Sequence, residues 1–165
     1  MKAIGLANFN SLSERGQMHL LFEVCSSTIW ARRVLAAAPF RDTHALYDRA
    51  DRILAELPDA EIDAALDGHP RIGARADNPS SAREQARVAD ADDSVKATLA
   101  QKNREYEQRF GYVYLVCASG RSAEELLDIL TDRLANDPDT ERRVMRNELA
   151  KINRLRLERL LSEPT

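Results

Sequence analysis

The sequence has few of the residues from which disulfide frameworks and metal sites are built. It holds two cysteines, Cys25 and Cys117, far apart and without CxxC spacing. Neither a disulfide scaffold nor a zinc site is therefore supported, and both thiols, set among apolar neighbours, read as buried and reduced. No two of the three histidines, His19, His44 and His69, stand three or four residues apart. That excludes a helical metal motif of the HExxH kind. The longest apolar run, "YVYLVCA" at 112–118, falls far short of the ~20 residues that a membrane span needs. Lys and Arg are not clustered, and the formal net charge is −3 with the signs mixed, which argues against a nucleic-acid surface. The start, "MKAIGLANFNSLSE", has no long apolar segment of the signal-peptide type, and "LLSEPT" carries no peroxisomal or retention tripeptide. A cytoplasmic location is the expectation. Low-complexity segments, internal repeats and long linkers are also missing from the pattern.

What remains is a chain of 165 residues, 44% apolar and 31% charged, the size and balance of one globular domain spanning residues 1–165. Pro, Gly and Asn cut it into helical lengths. Ser11 and Glu14 have capping-box spacing ahead of Leu12, Met18, Leu21, Phe22 and Cys25. A second helix from about Ser27 carries Trp30 and Val34 and must end before Pro39. Asp42 or Thr43 can cap a third with the stripe Leu46, Ala50, Ile53, Leu54 and Leu57. "DAEIDAAL" predicts a short fourth helix, with Gly68 as its left-handed end. After a loop at 69–79 containing Pro70, Gly73, Asn78 and Pro79, Ser80 or Ser81 can cap a helix through "AREQARVA". A long amphipathic helix is expected from about Ser94 to Phe110, stopped by Gly111. "YVYLVCA" is strand-like in composition, but a lone strand has nothing to pair with. It is buried extended chain or an overridden helix start. Ser122 with Glu125 opens another helix, and Asp137-Pro138 begins the last, with Val144, Leu149, Ile152 and Leu160 in its stripe. The class is all-α: a single bundle of about seven or eight helices with one buried extended segment near 112–118.

Three places can hold chemistry. His69 directly follows Gly68, and Pro70 stiffens its exit, so its imidazole is not committed to an apolar helix stripe. An imidazole gives or takes a proton near cellular pH, although a loop His simply bonded to a carbonyl fits the same position. In "SSAREQ" at 80–85, a capping Ser81 would leave Glu84 and Gln85 at a helix tip with free N–H groups. Gln85 can donate and accept, as a ureido group requires, yet a plain capping box has the same spacing. The apolar run can likewise be core or a site wall whose main chain offers N–H and C=O groups.

"HPRIG" at 69–73, "SAREQ" at 81–85, "FGYVYLVCASGRSAEELL" at 110–127 and "ELAKINRLRLERLL" at 148–161 form an ordered set. With it the chain resembles the 2-oxo-4-hydroxy-4-carboxy-5-ureidoimidazoline (OHCU) decarboxylase family over nearly its whole length. Trp30 and "APF" at 38–40 match weaker features. The resemblance implies cofactor-free, metal-free decarboxylation of OHCU to (S)-allantoin, the last step of urate oxidation, by a helical homodimer. It implies His69 as the acid/base. It implies substrate contacts from Pro70, from Ser81, Ala82, Arg83, Glu84 and Gln85, and from Tyr114, Leu115, Val116, Cys117 and Ala118, the last group largely through main chain. Glu84 is expected to orient His69 or a ring N–H, and Gln85 to read the ureido group. Three positions depart from the family's usual pattern: Val113 stands for Pro, Tyr114 for Phe, and Ser119 for Arg. Arg154 and Arg156 are both open as partners of the substrate carboxylate. Two other readings compete: a non-catalytic helical interaction module, and a hydrolase of the neighbouring 5-hydroxyisourate step, whose known family is built from β-strands.

Overall fold

Proline, glycine and capping side chains divide the chain into nine helices among the described residues, which are 2–74 and 79–164 of a computed structural model. The fold is all-α, and the chain forms two compact units, residues 1–68 with 150–165 and residues 69–149.

The first unit contains α1 (Leu6–Ser11), α2 (Glu14–Val24), α3 (Thr28–Leu35), α4 (Thr43–Glu56), α5 (Asp59–Leu66) and residues 150–161 of α9 (Pro138–Leu161). Helix α1 is the element that the apolar periodicity did not predict. It takes Ser11 as its last residue, so Ser13 caps α2 instead, accepting from the Gly16 N–H at 3.2 Å. Leu12 then falls between helices, and Leu12 and Phe22 are exposed rather than core. The other caps follow the sequence. Ser27 accepts from the Trp30 N–H at 3.1 Å, and Asp42 accepts from the Ala45 N–H at 2.7 Å, each removing a donor that the first helical turn leaves unpaired. The core is built on Trp30, Val34, Leu46, Ile53, Ile62 and Leu160. The Trp30 indole donates to the Ala50 carbonyl at 3.1 Å, so its one polar atom is not stranded. Burial pushes the Cys25 thiol up to about 11, which keeps it protonated and unreactive at neutral pH.

Gly68 is not left-handed, contrary to the helix-stop expectation; the positive-φ glycines are 5, 73, 111 and 120. Its need is for space: a Cβ there would lie 2.2 Å from Ser26 Oγ and 2.9 Å from Ser26 Cβ. The hydroxyl can rotate away, but the Cβ cannot. Gly68→Ala should therefore cost about 1–3 kcal/mol, the usual overpacking range, measured by urea denaturation. Adding Ser26→Gly should return most of it. Equal stability of Gly68→Ala and wild type would refute the close approach.

The second unit contains α6 (Pro79–Glu84), α7 (Asp93–Phe110), α8 (Ala123–Arg133) and residues 138–149 of α9. Gly111 ends α7 in the left-handed region at φ 82°, and Ser122 with Glu125 forms the expected capping box. Met145, not Val144, fills the core position of α9. Residues 113–118 are neither helix nor strand, so the strand-like composition produces no strand and the segment is not a helix start. They lie against one core that includes Ile72, Val88, Leu99, Tyr106, Leu126 and Leu130. A buried polar network holds this segment. Glu141, fully buried, accepts from Arg133 Nε at 2.7 Å and from the Tyr106 hydroxyl at 2.5 Å. Arg133 Nη1 in turn donates to the Leu115 carbonyl at 2.7 Å. Burial and the bond to Glu141 both push the Tyr106 phenol up, so it stays a donor.

Candidate active site

All the expected site residues belong to the second unit. His69 is the first residue of that unit and is 8% exposed, whereas His19 and His44 are surface residues beside Glu23 and Asp48. The loop that follows is fixed at three consecutive residues. Arg71 makes a two-pronged ion pair with Glu107 at 2.6 and 3.2 Å. The Ile72 carbonyl accepts from Asn103 Nδ2 at 2.9 Å, and the Gly73 N–H donates to Gln85 Oε1 at 3.0 Å. Gly73 has φ 87°, a conformation that favours glycine, and a Cβ on it would come 3.1 Å from Leu99 Cδ2, so the Leu99 side chain would have to shift slightly. Leu99, Asn103 and Glu107 are spaced i, i+4, i+8 along α7, a single helical face running under the loop. Asn78, expected in the same loop, lies outside the described residues.

Helix α6 differs from its expected form. Its first helical residue is Pro79 and its last is Glu84, so Ser81 is inside the helix, 2% exposed, and does not form a capping box with Glu84. The Gln85 N–H donates to the Ser81 carbonyl at 3.1 Å. Glu84 and Gln85 thus sit at the C-terminal end, and the free N–H groups that the sequence reading placed beside them are not there. Proline at the first helical position accounts for the shift, because its missing N–H costs nothing at that point. Ser81 and Glu84 are buried and Gln85 is half-buried, while Ala82 and Arg83 are exposed. Pro70 is half-buried.

In the extended segment Tyr114, Leu115, Val116 and Ala118 are buried and Cys117 is partly so. Much of its polar capacity is already used. The Tyr114 hydroxyl donates to the Leu126 carbonyl at 2.9 Å, which is how a Tyr is accommodated where the family often has Phe. The Cys117 N–H donates to Glu148 Oε1 at 3.2 Å, and the Ala118 carbonyl accepts from the Arg121 N–H at 3.0 Å. The main-chain groups of Val116 make no hydrogen bond among the described residues. The Ser119 hydroxyl is likewise buried without a partner among the described residues.

Asn103, Arg133, Glu141 and Glu148 escaped the sequence reading. Each is a polar residue in a helix, and the partners named above lie 8 to 35 positions away in the chain, so no local spacing announces them. Arg154 is a surface residue paired with Asp51 at 3.0 Å and lying over the Tyr47 ring. Arg156 is 4% exposed and donates to the Val24 carbonyl at 3.2 Å, within the first unit. Among the described residues no group of three or more His, Cys, Asp or Glu side chains could hold a metal ion, and no helix is long and apolar enough to cross a membrane.

Comparison with known proteins places this arrangement. A family model described as OHCU decarboxylase matches residues 10–158. A 2-oxo-4-hydroxy-4-carboxy-5-ureidoimidazoline decarboxylase of Amia calva is 30% identical over 148 residues, covering 86% of this chain and 82% of that protein. The uric acid degradation bifunctional protein TTL of Arabidopsis thaliana is also 30% identical over 148 residues, and the match spans 45% of its length. A crystal structure of OHCU decarboxylase in the presence of (S)-allantoin superposes with a TM-score of 0.77 at 26% identity, covering 86% of this chain and 96% of that one. The ordered motifs, the all-α fold and these matches agree: the chain belongs to the OHCU decarboxylase family.

Proposed function

We propose that this chain decarboxylates 2-oxo-4-hydroxy-4-carboxy-5-ureidoimidazoline to allantoin and CO₂ in urate degradation, with His69 as the acid/base. The observation that carries this reading, in a chain of this family, is His69 itself. It is the one buried histidine of the three, and it opens a loop tied at Arg71, Ile72 and Gly73. A proton-handling group must be held within hydrogen-bond reach of its target, and a loop anchored at three successive residues supplies that constraint.

The reaction breaks the bond between the carboxylate and its ring carbon. CO₂ leaves, and the electron pair passes into the unsaturated ring system beside it, so the substrate provides its own sink. A proton must then reach the ring, and His69 delivers it from one face, giving one enantiomer, (S)-allantoin. Glu84, buried in the same unit, orients the imidazole or a ring N–H. Gln85 has spent its oxygen on Gly73, so its remaining Nε2 donors suit the ureido carbonyl. The Val116 main chain binds the ring edge. The all-α fold also speaks against a hydrolase of the 5-hydroxyisourate step.

The test is direct. OHCU generated in situ from urate should lose its ultraviolet absorbance faster with the protein than without it, and circular dichroism should report enantiomerically pure allantoin. Spontaneous-rate decay and racemic product would reject the reading. A cytoplasmic homodimer belongs to the same proposal. Light scattering at twice the 18.6 kDa chain mass would support the dimer.

A further inference from the structure

An unpaired oxygen beside the His69 loop has a use in this site. Asn103 is 3% exposed; its Nδ2 donates to the Ile72 carbonyl at 2.9 Å, and its Oδ1 has no hydrogen-bond partner among the described residues. The orientation of the amide is fixed, because turning it over would set its oxygen against the Ile72 oxygen. A buried acceptor left unpaired is costly, and such groups in folded proteins call for an explanation. A ureido group carries N–H donors as well as a carbonyl. The side chain first expected to serve both, Gln85, has its oxygen committed to the Gly73 N–H at 3.0 Å. A donor-bearing ligand held over this loop therefore needs a second acceptor.

We infer that Asn103 Oδ1, buried and unpaired beside Ile72, accepts an N–H from the ureido group and makes Asn103 a specificity-determining residue. This rests on the decarboxylase reading and deepens it. One amide then performs two tasks: Nδ2 holds the loop, and Oδ1 selects the ligand. Gln85 mirrors it, with its oxygen on the loop and its Nε2 turned to the ureido carbonyl.

The two tasks separate when ligands with and without a ureido group are compared. Allantoin carries it; hydantoin has the ring alone. Calorimetric titration of wild type and Asn103→Leu should show allantoin affinity falling about 10-fold or more, the usual consequence of a lost buried hydrogen bond. Hydantoin affinity should change about threefold or less, the residual loop effect. Asn103→Asp keeps an acceptor oxygen and loses the donor to Ile72. It should retain the wild-type preference for allantoin over hydantoin even where both bind more weakly, and it serves if the Leu variant does not fold. Equal losses for both ligands in Asn103→Leu, or a vanished preference in Asn103→Asp, overturn the assignment while wild-type turnover of OHCU keeps the decarboxylase reading intact. A wild type without turnover overturns that reading and this inference with it.

Discussion

His69→Asn is expected to lower kcat for OHCU by about 10²–10⁴-fold, the usual contribution of a positioned acid/base, while leaving the melting temperature within a few degrees of wild type. Asparagine keeps the approximate size and a hydrogen-bonding amide but cannot exchange a proton near neutral pH. The loop has ties besides the imidazole, at Arg71, Ile72 and Gly73. Loss of rate with retained fold separates chemistry from stability. Binding should change less than turnover, because the contacts assigned to Gln85, Asn103 and Val116 remain. Steady-state kinetics with thermal denaturation would check both halves. Near-normal turnover in a folded His69→Asn protein would remove the histidine from the mechanism.

The second large effect concerns Arg133. Its guanidinium is 5% exposed and bridges the fully buried Glu141 carboxylate to the Leu115 carbonyl. Arg133→Met keeps most of the apolar volume but strands the Glu141 charge and the Leu115 oxygen together. Breaking one side of a buried ion pair typically costs about 3–5 kcal/mol, which for a chain of this size is a fall of roughly 6–20 °C in melting temperature. Because the extended segment is held from this side, ligand affinity should fall as well. Adding Glu141→Leu should recover part of the stability by removing the stranded charge, though Tyr106 and Leu115 would still lack partners. A single Arg133→Met variant within 1 kcal/mol of wild type, measured by urea denaturation, would show that the network is not what holds the segment.

Much of the architecture follows from local chemistry. Ser122 caps the helix it was expected to open, Asp42 rather than Thr43 caps α4, and Ser27 caps the helix expected from about that residue, because a side-chain oxygen three residues before an unpaired N–H acts within one turn. The apolar stripe of α4 lies in the core for the same reason of period. Where local signals were ambiguous, context decided. Ser11 was the expected cap of α2, but it ends α1 and Ser13 caps α2 instead. Ser81 and Glu84 had capping-box spacing, yet Pro79 began the helix earlier, which puts Ser81 inside it and Glu84 at its C-terminal end.

The sequence alone determined that the chain is helical, that His69 stands in a bend after a helix, and which ordered motifs tie it to one enzyme family. These depend on spacing and residue type, which act over a few positions. Tertiary structure alone decided which polar groups are spent and which are left: Gln85 on Gly73, Arg133 on Leu115, Glu148 on Cys117, with Asn103 Oδ1 and the Val116 main chain unpaired among the described residues. Each of those outcomes pairs groups 12 to 31 residues apart where they are paired, and a hydrogen bond is satisfied by proximity in space, which only the folded chain supplies.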